Sequence, residues 1–219
     1  MIQGLIWLKH ASFVYNNSSS TPPGAGKRVY FDPWQLDETE QADFILISHG
    51  HYDHLDPASI KKIRAARTVV VAPADCVAQI GGDVKTLVPG EELAFSGISV
   101  RAVRAYNIGK MFHVRENGWV GYVVTIDGVK VYHAGDTDLI PEMEGLQCDV
   151  ALLPVGGTYT MDAEEAAEAA TVIKPKIAAV PMHYGYIVGS RKDGDAFKKF
   201  AKVSAEIMRP KYPFEKKPQ

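Results

Sequence analysis

The sequence predicts an α+β fold: two β-rich halves packed face to face, each with helices among its strands. Three observations carry this. Short apolar or alternating runs bounded by Gly, Pro, Asn or Asp recur along the chain, which is how strands read. Helical stretches with caps and stops interrupt them in both halves, around 57–66, 74–80, 161–174 and 195–200. No internal repeat and no linker separates the halves, and 219 residues suit a single domain, 1–219, with a buried two-sheet core.

The elements follow in order. Residues 2–8 are expected to form a hairpin with 28–32, joined across a polar Asn/Ser/Pro/Gly loop, 16–26, that offers nothing to a core. Asp32-Pro33-Trp34 turns the chain, and Phe44-Ile45-Leu46-Ile47 is a buried strand. A helix over 57–66 has Asp56 as N-cap and Pro57 in its first turn. A short strand, 68–72, precedes a helix over 74–80 that Gly81-Gly82 stops. Residues 84–103 are strand-rich, with turns at Pro89-Gly90 and Ser96-Gly97. Strands 119–125 and 129–133 make a hairpin over Asp127-Gly128, a strong turn signal. A strand over 149–154 leads to a helix over 161–174, capped by Asp162, with Glu164 and Glu165 in its first turn and Pro175 at its end. Another apolar strand, Ile177 to Pro181, precedes a helix near 195–200 and a basic tail.

Composition excludes several functions. A net charge of −2, with no basic stripe, gives no field for nucleic acid. No run approaches the roughly 20 apolar residues of a membrane span, and the N-terminus has no basic and apolar leader pattern. Cys76 and Cys148 read as buried thiols in a reducing compartment, so a cytoplasmic protein is expected. The expected partner is a small-molecule substrate, with neither nucleic acid nor membrane; a homo-oligomer is left open.

The chemistry concentrates in Ser48-His49-Gly50-His51-Tyr52-Asp53-His54, directly behind the buried strand at 44–47. Imidazoles at i and i+2 on extended backbone project to one side, and Asp53 and His54 follow on the turn. Neutral imidazole nitrogen and carboxylate oxygen suit zinc, manganese or iron(II). Two further strands end the same way. Val129 to His133 runs into Gly135-Asp136, and the strand through Val180 runs into His183. Active sites of α/β sheets gather at such strand ends, and loops that needed only solubility would use Ser, Asn or Lys there.

Together these motifs resemble the metallo-β-lactamase superfamily. One branch of it, which includes ascorbate-6-phosphate lactonase-like proteins and metal-dependent hydrolases, matches further. The matching segments are His10-Ala11-Ser12-Phe13, Tyr132 through Thr137, Leu152 through Met161, and Pro181-Met182-His183-Tyr184-Gly185. The resemblance runs from about Leu5 to about Gly189. It implies a four-layer αββα sandwich with two divalent metal ions, Zn²⁺ or Mn²⁺, at one edge of the sheets. The implied ligands are His49, His51, Asp53, His54, Asp136 as the bridge, and His183. One slot departs from the family pattern: where another histidine is usual, the chain has Asn107. His113, six residues on, is the preferred ligand, with Asn107 or a water as alternatives.

A metal-dependent hydrolase follows from the resemblance. Two ions about 3.5–4 Å apart bring the pKa of a shared water toward roughly 7, and the hydroxide attacks a carbonyl carbon or a phosphorus. Asp53 would hold the nucleophile, while His10 and His133 would orient ligands or supply a proton. Tyr106, Asn107, Lys110, Arg115 and Tyr159, on loops beside the ligand strands, are candidate substrate contacts. Lys110 and Arg115 point to a small anionic substrate, a phosphodiester or a lactone. The altered slot at Asn107 motivates the alternative, a non-catalytic metal-binding or sensory module on the same fold.

Overall fold

The structure is a computed structural model that describes residues 3–16 and 26–214. The loop predicted at 16–26 therefore lies almost wholly outside the described residues, as does the start of the strand predicted at 2–8. The chain gathers into two compact units, Met1–Leu87 with Arg209–Gln219, and Val88–Met208. Among the described residues no helix is long and apolar enough to cross a membrane.

The first unit is built on a six-stranded sheet whose spatial order follows the chain: β1 (Leu5–Lys9), β2 (Ser12–Asn16), β3 (Arg28–Phe31), β4 (Phe44–Leu46), β5 (Val69–Ala72) and β6 (Lys85–Thr86). The first three are antiparallel; β3 to β6 are parallel. This corrects the predicted hairpin. Residues 2–8 do not pair with 28–32, because β2 lies between them, paired with β1 over a two-residue turn at His10-Ala11. His10 supplies the left-handed backbone (φ 49°) that such turns usually take from Gly or Asn. Helix α1 (Pro57–Ile63) starts where predicted, with Asp56 accepting from the Ala58 N–H. It ends three residues early because Arg64 turns extended and its guanidinium bonds the Gly81 and Asp83 carbonyls. A 3₁₀ turn (Ala74–Cys76) and α2 (Val77–Ile80) fill the predicted second helix, and Gly81 stops it at φ 69°. Leu8, Val14, Tyr30, Ile45, Ile60 and Val70 are among the residues of its core; full burial of such a side chain is worth about 1.5–3 kcal/mol. Residues near the far end of the chain complete this unit. The Lys211 and Tyr212 N–H groups donate to the Trp7 and Leu8 carbonyls at 2.8 and 3.0 Å.

The second unit has a six-stranded sheet in the order β12-β11-β10-β9-β8-β7. Strands β7 (Glu92–Phe95), β8 (Ile98–Arg104), β9 (Val120–Ile126) and β10 (Val129–His133) form an antiparallel meander. Strands β11 (Val150–Pro154) and β12 (Ala178–Met182) extend it in parallel. Both are buried at every position, as continuous apolar runs in parallel sheets are. Helix α3 (Ala163–Ile173) connects them. It opens on a capping box of Asp162 and Glu165 and buries Ala166, Ala167, Ala169, Ala170 and Ile173. Helix α4 (Asp193–Phe200) begins two residues before the predicted start.

Candidate metal centre

The first donor set grows from the parallel pairing of β3 with β4, in which Phe31 sits opposite Leu46. The residues that leave these two strands therefore meet. Asp32, buried and left-handed at φ 41°, accepts from the Ser48 N–H at 2.7 Å and the Ser48 hydroxyl at 2.6 Å. It also lies 2.7 Å from His54 Nδ1. An ionised carboxylate only accepts, so Ser48 Oγ and His54 Nδ1 are the donors. Ser48 has then used its one proton, and its oxygen must accept from His49 Nδ1, 2.9 Å away. In the neutral rings the Nε2 atoms of His49 and His54 therefore carry the lone pairs, the tautomer a metal ligand needs. His49 Nε2 lies 3.1 Å from His51 Nδ1. Asp53 Oδ2 is 3.1 Å from His10 Nε2 and 3.8 Å from His54 Nε2. His10, Asp53 and His54 thus offer donor atoms within 4.8 Å of one another, all buried.

The second set belongs to the other unit. After β10 the Gly135 N–H donates to His133 Nδ1 at 3.2 Å, closing the turn that presents Asp136. His133 thereby fixes the turn beside a candidate ligand. His183 follows β12 in left-handed backbone, φ 60°. Asp136 Oδ2 lies 3.1 Å from His183 Nε2 and 3.4 Å from His113 Nε2. His113 ends a loop that the Asn107 N–H closes on the His113 carbonyl at 2.7 Å. The Asn107 amide nitrogen donates to Asp138 Oδ1 at 3.1 Å and the Tyr159 carbonyl at 2.9 Å. Its oxygen is then the atom that accepts the His113 N–H at 3.1 Å and faces His113 Nδ1 at 3.2 Å. His113 thus also carries its lone pair on Nε2, toward Asp136. Asn107 thus orients this imidazole through its amide oxygen. A buried carboxylate oxygen facing basic ring nitrogens is an arrangement that a cation stabilises, and imidazole with carboxylate suits zinc or manganese. The donor set fits the metal.

The candidate substrate contacts fare differently. Tyr106 is buried and donates to Glu142 Oε2 at 2.8 Å. Burial, then the bond to Glu142, raises its phenol above the usual range. Burial pushes the Glu142 carboxyl up as well, but the Tyr106 hydroxyl, a backbone N–H and Arg115 hold it below its ordinary value. Lys110 Nζ bonds Asp138 Oδ1 at 2.6 Å and the Thr160 carbonyl at 2.9 Å. Arg115 bonds Glu142 Oε1 at 2.9 Å. Both cations pair with carboxylates inside their own unit. Tyr159 remains exposed. Sequence reasoning put Asp32 in a turn at the edge of the site but missed its hold on Ser48 and His54; the signal was an acidic residue closing a strand, the same pattern as at Asp136.

Known proteins resemble this chain in sequence and fold. A sequence model of the beta-lactamase superfamily domain matches residues 4–183. The chain belongs to the metallo-β-lactamase superfamily. Within the superfamily it is 34% identical over 211 residues, 90% of each chain, to a UPF0173 metal-dependent hydrolase of Thermoplasma acidophilum. It is 32% identical over 219 residues to one of Caldivirga maquilingensis, covering 94% of this chain and 92% of that one. A crystal structure of a protein assigned as a metal-dependent hydrolase from Parabacteroides distasonis superposes with a TM-score of 0.79 at 34% identity, over 94% and 93% of the two chains. Igni18, a metallo hydrolase of Ignicoccus hospitalis, gives a TM-score of 0.74 at 25% identity over 94% of each. This superfamily member is a metal-dependent hydrolase with the metallo-β-lactamase fold, two sheets with helices.

Proposed function

We propose that the chain hydrolyses a phosphodiester or a lactone at a centre of two divalent ions, zinc or manganese. The proposed ligands are His49, His51, Asp53, His54, His113, Asp136 and His183. The observation that carries this reading is the common bias of three imidazoles. His49, His54 and His113 each have an acceptor beside Nδ1, namely Ser48, Asp32 and Asn107, so each offers Nε2. Ions bound there lower the pKa of a water and polarise the electrophile. Asp53, held by His10 at 3.1 Å, would accept a hydrogen bond from the attacking water. His133 would keep the Asp136 turn in place. Lys110 and Arg115 are committed to Asp138 and Glu142, so the charge that attracts an anionic substrate would come from the ligated ions. The sensory alternative drew on the altered slot at Asn107, and an asparagine that orients His113 accounts for that slot. The free, buried Cys76 and Cys148 support a reducing, cytoplasmic setting.

The test is metal counting joined to a turnover screen. Protein loaded with Mn²⁺ or Zn²⁺ is offered phosphodiesters, lactones, thioesters and β-lactams. Two equivalents of metal and turnover of phosphodiesters or lactones are expected, with manganese at least as effective as zinc because Asp53 and Asp136 bring oxygen donors. Two bound metals with no turnover of any class would sink the enzyme reading.

A further inference from the structure

The segment from Asn107 to His113, within the loop between β8 and β9, does two things at once. Its ends, Asn107 and His113, are buried and close on each other, and Lys110 pins its middle to Asp138 and the Thr160 carbonyl. The side chains left over point outward and are apolar. Ile108 is 55% exposed, Met111 84% and Phe112 45%. Tyr159, 37% exposed, joins them: its ring meets Phe112 edge to face at 4.6 Å, and its carbonyl accepts from Asn107. Apolar groups presented together in water on a fixed support mark a binding surface.

We infer that Ile108, Met111, Phe112 and Tyr159 form a platform that binds an apolar group, an acyl chain or aryl ring, attached to the scissile bond. This rests on the proposed hydrolytic site and names its substrate class more narrowly. Three arguments support it. Consecutive Cα atoms are about 3.8 Å apart, so Met111 lies within about 8 Å of His113 along the chain, the reach of a short acyl chain from an electrophile held near Asp136 and His113. Between Asn107 and His113 the polar side chains face Asp138, Asp136 and the Tyr159 and Thr160 carbonyls, so the side chains this segment presents to water are the apolar ones. A thioether, a branched aliphatic group and two rings in edge contact adapt to chains and rings alike.

The experiment compares γ-butyrolactones carrying no, propyl, hexyl and decyl side chains, with the matching n-alkyl phosphonates as non-hydrolysed ligands read by calorimetry. In the metal-loaded native protein, KM and Kd should fall about three- to fourfold per methylene buried, the equivalent of roughly 0.8 kcal/mol, until the platform is filled. In Met111→Ser/Phe112→Ser both series should flatten, with metal content unchanged. Both residues are exposed, so the variant should fold. Tyr159→Ser should flatten the series in part. A native protein that binds the phosphonates without regard to chain length overturns the platform, whether or not any lactone turns over. Chain-dependent phosphonate binding without turnover supports the platform and instead refutes the hydrolytic reading of the site.

Discussion

The first donor set is written as one stretch of chain, His49 to His54, whereas the second gathers His113, Asp136 and His183 from loops after three different strands. The contiguous set depends on one carboxylate. Asp32 fixes His54 directly and His49 through Ser48. The dispersed set has a separate fixture for each member: Asn107 for His113, the His133–Gly135 turn for Asp136, and the approach of Gly156 to the His183 backbone. Orientation is shared on one side and distributed on the other. Damage should therefore propagate in the first set and stay local in the second.

The largest effect is expected from Asp32→Ala. It leaves two Ser48 donors and His54 Nδ1 buried without their acceptor, at about 1–3 kcal/mol each. A loss above about 3 kcal/mol, or roughly 10 °C in Tm for a chain of this size, should accompany metal affinity weakened by more than about 100-fold. Calorimetric melting and metal titration read both; native metal content would break the shared-orientation account. Next comes the pair His113→Ala and Asn107→Ala. The first deletes a proposed ligand and should empty its metal position; the second disorients that imidazole and should weaken binding by about 10–100-fold. The reverse order, metal lost from Asn107→Ala and kept in His113→Ala, would make the amide oxygen the ligand. Gly156→Ala is smaller and local. A Cβ there would collide with the His183 carbonyl and the Val188 side chain, costing about 1–3 kcal/mol. It should perturb the ¹H–¹⁵N resonances of residues near His183 more than those near His113. Gly50→Ala should do least. Its added Cβ would rest 3.7 Å from Cys76 Sγ, an ordinary contact, so stability should stay within about 0.5 kcal/mol and metal content should not change. A marked loss of metal would show that the first set is tighter than its spacing suggests.

What the sequence made legible follows the same division. His49, His51, Asp53 and His54 are readable because they are adjacent and sit behind an apolar strand. Asp136 and His183 are readable because each closes a strand of its own. The helices at Pro57, Ala74 and Ala163 announce themselves through caps and stops that act within a few residues. The rest depends on pairing between segments far apart in the chain. Asp32 orients two histidines only because β3 lies parallel to β4, a fact no local pattern carries. Strand β2 was missed because its turn uses His10-Ala11, without the Gly or Asn that marks most tight hairpins. Lys110 and Arg115 looked like free cations because their partners, Asp138 and Glu142, lie 28 and 27 residues further on.

The clasp of Lys211 and Tyr212 on β1 sets an order of events during synthesis. Strand β1 is an edge, and its outer carbonyls at Trp7 and Leu8 are taken up by a segment that leaves the ribosome roughly two hundred residues later. Until then the nascent chain carries an uncovered strand edge, a template for pairing with other chains. The second unit, Val88–Met208, is contiguous and can close first. The first cannot finish until Lys211 and Tyr212 arrive, together with the Lys211 and Tyr212 contacts to Glu38 at 2.5 and 3.0 Å. A chain truncated after Met208 should therefore hold a folded second unit and an unfinished, chaperone-seeking first one.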